Sequence, residues 1–186
     1  MHIFTKMKKN LSLEMEIPEG MTLSINENLV TVKGPKGEVT KNFNFGRLDS
    51  EVKNNQIILK CDKATKTEKK MMNTIGAHIK NMIQGAKEKF VYELKICFGH
   101  FPFTVKKVGN KAIIKNFLGE KVDRSVDLIE GTEVEIGKEI IIVKSPNKEF
   151  AGQTAANFEA ATKIRGRDKR VFQDGVYIIK KNGKEM

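Results

Sequence analysis

The sequence predicts an α+β protein built as two tandem repeats of a small antiparallel sheet with one helix packed on one face. Three observations carry this. Apolar and polar residues alternate from Met21 to Ile25 and from Leu29 to Lys33, the period of half-buried strands. The period then lengthens to that of an amphipathic helix, and the same succession of strands and helix returns about 80 residues later.

Taken in order, "MTLSI" (Met21 to Ile25) and "LVTVK" (Leu29 to Lys33) are strands joined by an "NEN" turn. Gly34, Pro35 and Gly37 form the next turn, after which "VTKNF" (Val39 to Phe43) resumes the strand pattern. "QIILK" (Gln56 to Lys60) is another strand. Met71, Met72, Ile75, Ile79, Met82, Ile83, Ala86 and Phe90 then share one helical face, with Lys69, Lys80, Gln84 and Lys87 mostly opposite; such a stripe belongs to a core. In the second half "AIIKNFLGEKV" aligns with "VTVKGPKGEVT" at a shift of 82, and "EIIIVK" with "QIILKC" at a shift of 83. A second helix is expected from about Pro146 to Lys163, with Ser145 as N-cap and Pro146 at N1, and Thr154 matches Thr74 at a shift of 80. The expected organisation is an N-terminal repeat over 1–89, a C-terminal repeat over 90–181 and a short tail over 182–186. Only the second repeat is followed by a basic segment and the strand "GVYIIK".

The chain of 186 residues carries a net charge of +11 and a pI near 9.6, which favours a polyanionic partner. Residues 1–89 hold 16 basic and 10 acidic groups (+6), residues 90–162 hold 10 and 10 (0), and residues 163–186 hold 8 and 3 (+5). The last segment opens with "KIRGRDKRVFQDGVYI". Arginine is scarce here (Arg47, Arg124, Arg165, Arg167, Arg170), yet three of the five fall within six residues. A guanidinium grips phosphate oxygens through a planar fork and stacks on bases, so Lys163, Arg165, Arg167, Lys169 and Arg170 are candidate phosphate contacts, extended by Lys180 and Lys181. The alternative for the cluster is a solvated loop that aids solubility. Phe172 and Tyr177 are read first as core anchors for the last strand and, second, as platforms on which an unpaired base stacks. Asp174-Gly175 reads as a turn.

Catalytic and metal constellations fail on spacing. "GTEVEIGKE" departs from a phosphate-binding loop in the number of residues between its glycines and in having Glu139 where a hydroxyl is needed. "GPKG" matches an RNA-clamping Gly-x-x-Gly, but it lies between strands and reads as a hairpin displaying Lys33 and Lys36. His2, His78 and His100 are scattered, and Cys61 and Cys97 form neither a disulfide framework nor a four-ligand zinc site. Glu133 and Glu135, with Glu130 nearby, read as a solvated strand face rather than an acid/base pair. No enzyme activity, cofactor or metal is expected. The longest apolar runs are four residues and the N-terminus lacks a signal core, so a soluble cytoplasmic protein is expected. A competing reading, nonspecific binding to nucleic acid or to anionic membranes, needs a cationic amphipathic helix with bulky apolar residues. The second helix offers mainly Ala and Phe.

At "VKGPKGEV", "HIKNMIQGAKEKFVYELKICFGHFPF", "NFLGEKV" and "RVFQDGVYI", in that order, the chain resembles the large-subunit ribosomal protein family numbered six in bacteria and nine in eukaryotes. The resemblance spans about residues 13–181, and the ending is of the eukaryotic and archaeal type. It implies two tandem related domains and a structural place in the large ribosomal subunit. It further implies contact with large-subunit rRNA near the sarcin-ricin loop and stalk base, with neighbouring large-subunit proteins around it and translational GTPases nearby. Arg170, Phe172, Asp174, Gly175 and Tyr177 occupy the matching motif.

Overall fold

The computed structural model describes residues 9–53, 56–168 and 170–186. The chain divides into two compact units that part between Glu88 and Lys89.

In the first unit, β1 (Lys9–Glu16), β5 (Asp49–Lys53) and β6 (Gln56–Ala64) form one antiparallel sheet in the order β1-β6-β5. β2 (Thr22–Asn26), β3 (Leu29–Gly34) and β4 (Gly37–Asn42) form another, in the order β2-β3-β4. Alternation decides which side chains go inward: Val30 and Val32 on β3, and Ile57, Leu59 and Cys61 on β6, are buried while their neighbours are not. Burial away from water pushes the Cys61 thiol pKa up. α1 (Lys66–Lys87) packs Met72, Ile75, Gly76, Ile79, Met82 and Ile83 onto the core that these strands share. Its start is a capping box: the Thr65 side chain accepts from the Thr67 amide, and Glu68 accepts from the Thr65 amide at 2.8 Å. The Thr65 hydroxyl also donates to Glu68, and this bond, with the amide's, holds the Glu68 carboxyl below its usual range. The helix ends at Lys87, so Phe90, expected on its face, instead begins the next strand.

The "GPKG" hairpin docks on the far end of α1. The Lys36 amide donates to the Ala86 carbonyl at 3.1 Å, and a Cβ on Gly34 would lie 2.7 Å from that same oxygen. Gly34→Ala is therefore expected to push the hairpin off the helix and cost about 1–3 kcal/mol. Urea unfolding of the variant reads this directly, and an unchanged midpoint would contradict the close approach.

The second unit repeats the plan and adds to it. β7 (Phe90–Cys97), β11 (Glu133–Ile136), β12 (Ile140–Ser145), β13 (Gly175–Lys181) and β14 (Lys184–Glu185) make a five-stranded sheet in the order β11-β12-β7-β13-β14. β8 (Thr104–Val108), β9 (Lys111–Lys115) and β10 (Arg124–Asp127) make a three-stranded one, with β9 in the middle. α2 (Lys148–Ala161) buries Ala151, Thr154, Ala155 and Phe158. Residues 182–186, expected as a tail, carry the β13–β14 turn: the Asn182 amide donates to Val91 O and the Met186 amide to Ile179 O.

The internal repeat is real, but its offset drifts. Met72, Ile75, Gly76 and Ile79 correspond by burial to Ala151, Thr154, Ala155 and Phe158, each pair 79 residues apart, so Thr154 matches Ile75 and not Thr74. The β5–β6 hairpin corresponds to β11–β12 at 84, since Val52 pairs with Ile57 as Ile136 pairs with Ile141. A shift of 83 sets buried Ile57 against exposed Ile140, the one-residue slip that turns a strand inside out. The helix N-cap is also corrected: Asn147 Oδ1 accepts from the Glu149 amide at 2.9 Å. Ser145 instead ends β12, its hydroxyl donating to Gly131 O and accepting from the Asn147 amide.

Candidate nucleic-acid interface

The basic segment leaves the end of α2 as an exposed loop pinned at one point. Ile164 is buried in the core while Lys163, Arg165 and Arg167 on either side are exposed, and Gly166 turns the chain with a φ of +69°. Lys163, Arg165 and Arg167 line an open groove of about 630 Å³ together with Leu118, Glu120 and Arg124.

Each cation has a different degree of freedom. Arg165 has no hydrogen-bonding or ion-pair partner among the described residues. Arg167 stacks its guanidinium 4.9 Å from the centre of the Phe172 ring, and that ring packs against the core, so the side chain is held in place, close enough to Glu120 for its charge to act on that carboxylate. Arg170 is bound to Asp168, with Nη2 donating to Oδ2 at 2.8 Å and Nε to both carboxylate oxygens at 3.2 Å. This pairing holds the Asp168 carboxyl below its usual range. Lys180 sits 3.6 Å from Glu93 across the β13–β7 pair, and Lys181 is exposed. Lys169 lies outside the described residues. The structure thus brings Lys163, Arg165 and Arg167 to one groove, sets Arg170 on its own turn and places Lys180 and Lys181 on the last strand.

The two aromatics part ways. Phe172 is partly buried against the core, as expected of an anchor. Tyr177 is not an anchor: its neighbour Val176 is fully buried, so strand alternation turns Tyr177 outward, where it is 45% exposed. Its ring lies over Gly175, where a Cβ would come within 3.0 Å of Cζ and Oη. Desolvation on that side raises the phenol pKa. Tyr177 also borders a second groove of about 510 Å³ with Phe98, Gly99 and Val171.

Four residues hold this surface in shape, and of these the sequence singles out only Asp174. Arg124 donates to both oxygens of Glu120 at 2.7 and 2.5 Å, donates through Nη1 to Ala161 O at 2.7 Å, and stacks 4.4 Å from the Phe117 ring centre. It therefore caps the C-terminus of α2 with positive charge and ties the 116–123 loop to it. Asp174 is buried and is more than a turn residue, because its carboxylate accepts from the Gly99 amide at 2.7 Å. Thr162 donates to Phe158 O and accepts from the Val176 amide, while Glu159 accepts from the Ile178 amide at 2.9 Å. These two side chains satisfy outward-facing amides of β13 and so anchor the strand to α2.

The Glu120–Arg124 clamp carries a pH signature. Hydrogen bonds from Arg124 hold the Glu120 carboxyl below its ordinary range. A depressed folded-state pKa adds stability that is complete above the unfolded value, near 4.3, and is lost as pH falls through the folded value. Glu120→Gln is expected to flatten the loss of stability below about pH 4.3. Urea midpoints taken at several acidic pH values measure it, and identical curves for the two proteins would contradict the clamp.

Among the described residues there is no group of three His, Cys, Asp or Glu disposed to hold a metal ion, and no helix is long and apolar enough to cross a membrane. Fold and surface together define a two-unit α+β protein that presents a basic strip. The sequence profile of ribosomal protein L6 matches residues 17–89 and 101–175. The chain is 47% identical over 169 residues to the large ribosomal subunit protein uL6 of Methanobrevibacter smithii, covering 90% of this chain and 94% of that one. It is 43% identical to the uL6 of Saccharolobus solfataricus, over 90% and 93% of the two chains, and 40% identical to that of Methanosarcina mazei, over 94% and 99%. The chain belongs to the ribosomal protein L6 family, in its archaeal and eukaryotic form, and is a structural ribosomal protein rather than an enzyme.

Proposed function

We propose that this chain is a component of the large ribosomal subunit that lays the strip from Lys163 to Arg170 against the backbone of large-subunit rRNA. The observation that carries this reading is the convergence of Lys163, Arg165 and Arg167 on one groove whose carboxylate, Glu120, is bonded to Arg124, with Arg165 in no ion pair among the described residues. Phosphate contacts position a protein on RNA, and an A-form duplex offers a shallow minor groove and 2′-hydroxyls, so recognition here is mainly of shape. Exposed Tyr177 takes the stacking role, which a buried ring could not fill. The family resemblance supports a site near the sarcin-ricin loop and stalk base, beside neighbouring large-subunit proteins and close to where translational GTPases dock, in cytosolic ribosomes.

Sedimentation of a cell extract tests the assignment. The chain is expected to travel with large subunits in moderate salt, and recovery near the top of the gradient would contradict it. A finer expectation concerns Asp168, which competes with phosphate for Arg170. Asp168→Ala should tighten binding to structured large-subunit rRNA at low salt and steepen its salt dependence by up to about one unit of the log–log slope. Weaker binding by this variant in a filter-binding series would place Arg170 away from the RNA.

A further inference from the structure

The first unit has an open groove where the second is closed by β13. β1 lies at the edge of its sheet and pairs only with β6 among the described residues, whereas β7 is paired on both sides, with β12 and with β13. The two strands are counterparts: Leu11, Leu13 and Met15 oppose Cys61, Leu59 and Ile57 just as Phe90, Tyr92 and Leu94 oppose Ser145, Val143 and Ile141. In the second unit β13 fills the space beside β7 and under α2, burying Val176, with Thr162 and Glu159 of α2 bonded to its outward amides. At the helix offset of 79 those two positions are Ile83 and Lys80 of α1. Both line a groove of about 450 Å³ with Met15, Glu16, Pro18, Gln84 and Lys87.

We infer that this groove receives an extended segment of another protein, added antiparallel to β1 in the place that β13 holds beside β7. An unpaired strand edge presents alternating amides and carbonyls that a second strand satisfies completely, while a run of phosphates satisfies only the amides. The floor made by Met15, Pro18 and Ile83 takes apolar side chains at alternate positions of the incoming strand. Charge selects the rest: Lys80 and Lys87 on the α1 wall outnumber the one carboxylate of the groove, Glu16, so the segment carries carboxylates facing these two ammonium groups. The inference rests on the ribosomal role for the supply of a neighbouring protein.

The test uses large subunits that carry the full chain with p-benzoylphenylalanine at the exposed positions Lys80 or Lys87, together with amide exchange on the unsubstituted chain. Both positions are expected to crosslink to one acidic, alternately apolar protein segment, and the amides of residues 13–16 on the free edge to exchange at least roughly tenfold more slowly in the subunit than in the free chain. Crosslinks to rRNA or to residues 1–8 of the same chain, or unaltered exchange in β1, would overturn the proposed strand. Cosedimentation is scored in the same sample: a chain that rides with the subunit while β1 exchanges freely loses the strand but keeps the ribosomal role. Absence from the subunit overturns both.

Discussion

Joint replacement of Arg165, Arg167 and Arg170 by alanine is expected to flatten the dependence of log affinity on log salt by about three units, roughly one for each phosphate left without its cation. The three do not contribute through the same local chemistry. Arg165 is preorganised only by its buried neighbour Ile164 and gives up no internal partner on binding. Arg167 already rests on Phe172, so its side chain loses less freedom when it meets a phosphate. Arg170 must exchange Asp168 for RNA, but an exposed ion pair is weak and screened, so the exchange is inexpensive. Arg165→Lys retains the slope of the parent and loses affinity, because the ammonium keeps the charge and lacks the planar fork. Filter binding to a large-subunit rRNA fragment across a salt series measures the parent and both variants. A triple variant with the parent's affinity and slope would show that the strip lies elsewhere than on RNA.

The largest stability loss is expected at Phe158, which is fully buried between α2 and the five-stranded sheet. Removing its ring leaves a cavity walled by strands that cannot collapse inward, and such truncations cost about 3–5 kcal/mol, against typical domain stabilities of about 5–15 kcal/mol. Phe158 O also accepts the Thr162 hydroxyl, and Thr162 holds the Val176 amide, so disturbance at this turn reaches β13. Phe158→Ala should therefore lower the urea midpoint and release amide protection in β13 before β12. Val122→Ala, at a site 80% exposed, is the control and should change stability by less than about 0.5 kcal/mol. A loss at Phe158 of less than about 1 kcal/mol would mean that α2 is not seated on the sheet as described.

The elements legible in the sequence are those whose period is enforced by burial on one face. β3, residues 56–61 of β6 and both helices carry unbroken patterns, and their side chains fall inside and outside accordingly. β1 escapes such reading although Leu11, Leu13 and Met15 alternate, because its outward residues include two glutamates and its inner face is only half-buried. β8 gives a weak signal, with Val105 alone buried. Insertions differ between the halves, so a single offset cannot align the repeat. The clearest case is the Gly34–Gly37 turn, two residues long in the first unit, whose counterpart is the 116–123 loop that Arg124 holds down.

The cationic strip itself is visible in the sequence because arginine is rare in this chain and clustered in one place. Its supports are not, since Asp174 meets Gly99 across 75 residues and Arg124 meets Ala161 across 37. No local spacing encodes such contacts; they follow from the topology that brings β7, β13 and the end of α2 together. Tyr177 is within reach of sequence reasoning: once Val176 is assigned inward, the strand period alone sends the tyrosine out.

The most direct measurement is a high-resolution map of the large subunit with this chain in place. The expected result is rRNA phosphate oxygens within hydrogen-bonding distance of Lys163, Arg165 and Arg167, with the groove at the end of α2 occupied by the RNA backbone. The same residues facing solvent, with no nucleotide in reach, would contradict the assignment of this strip to RNA.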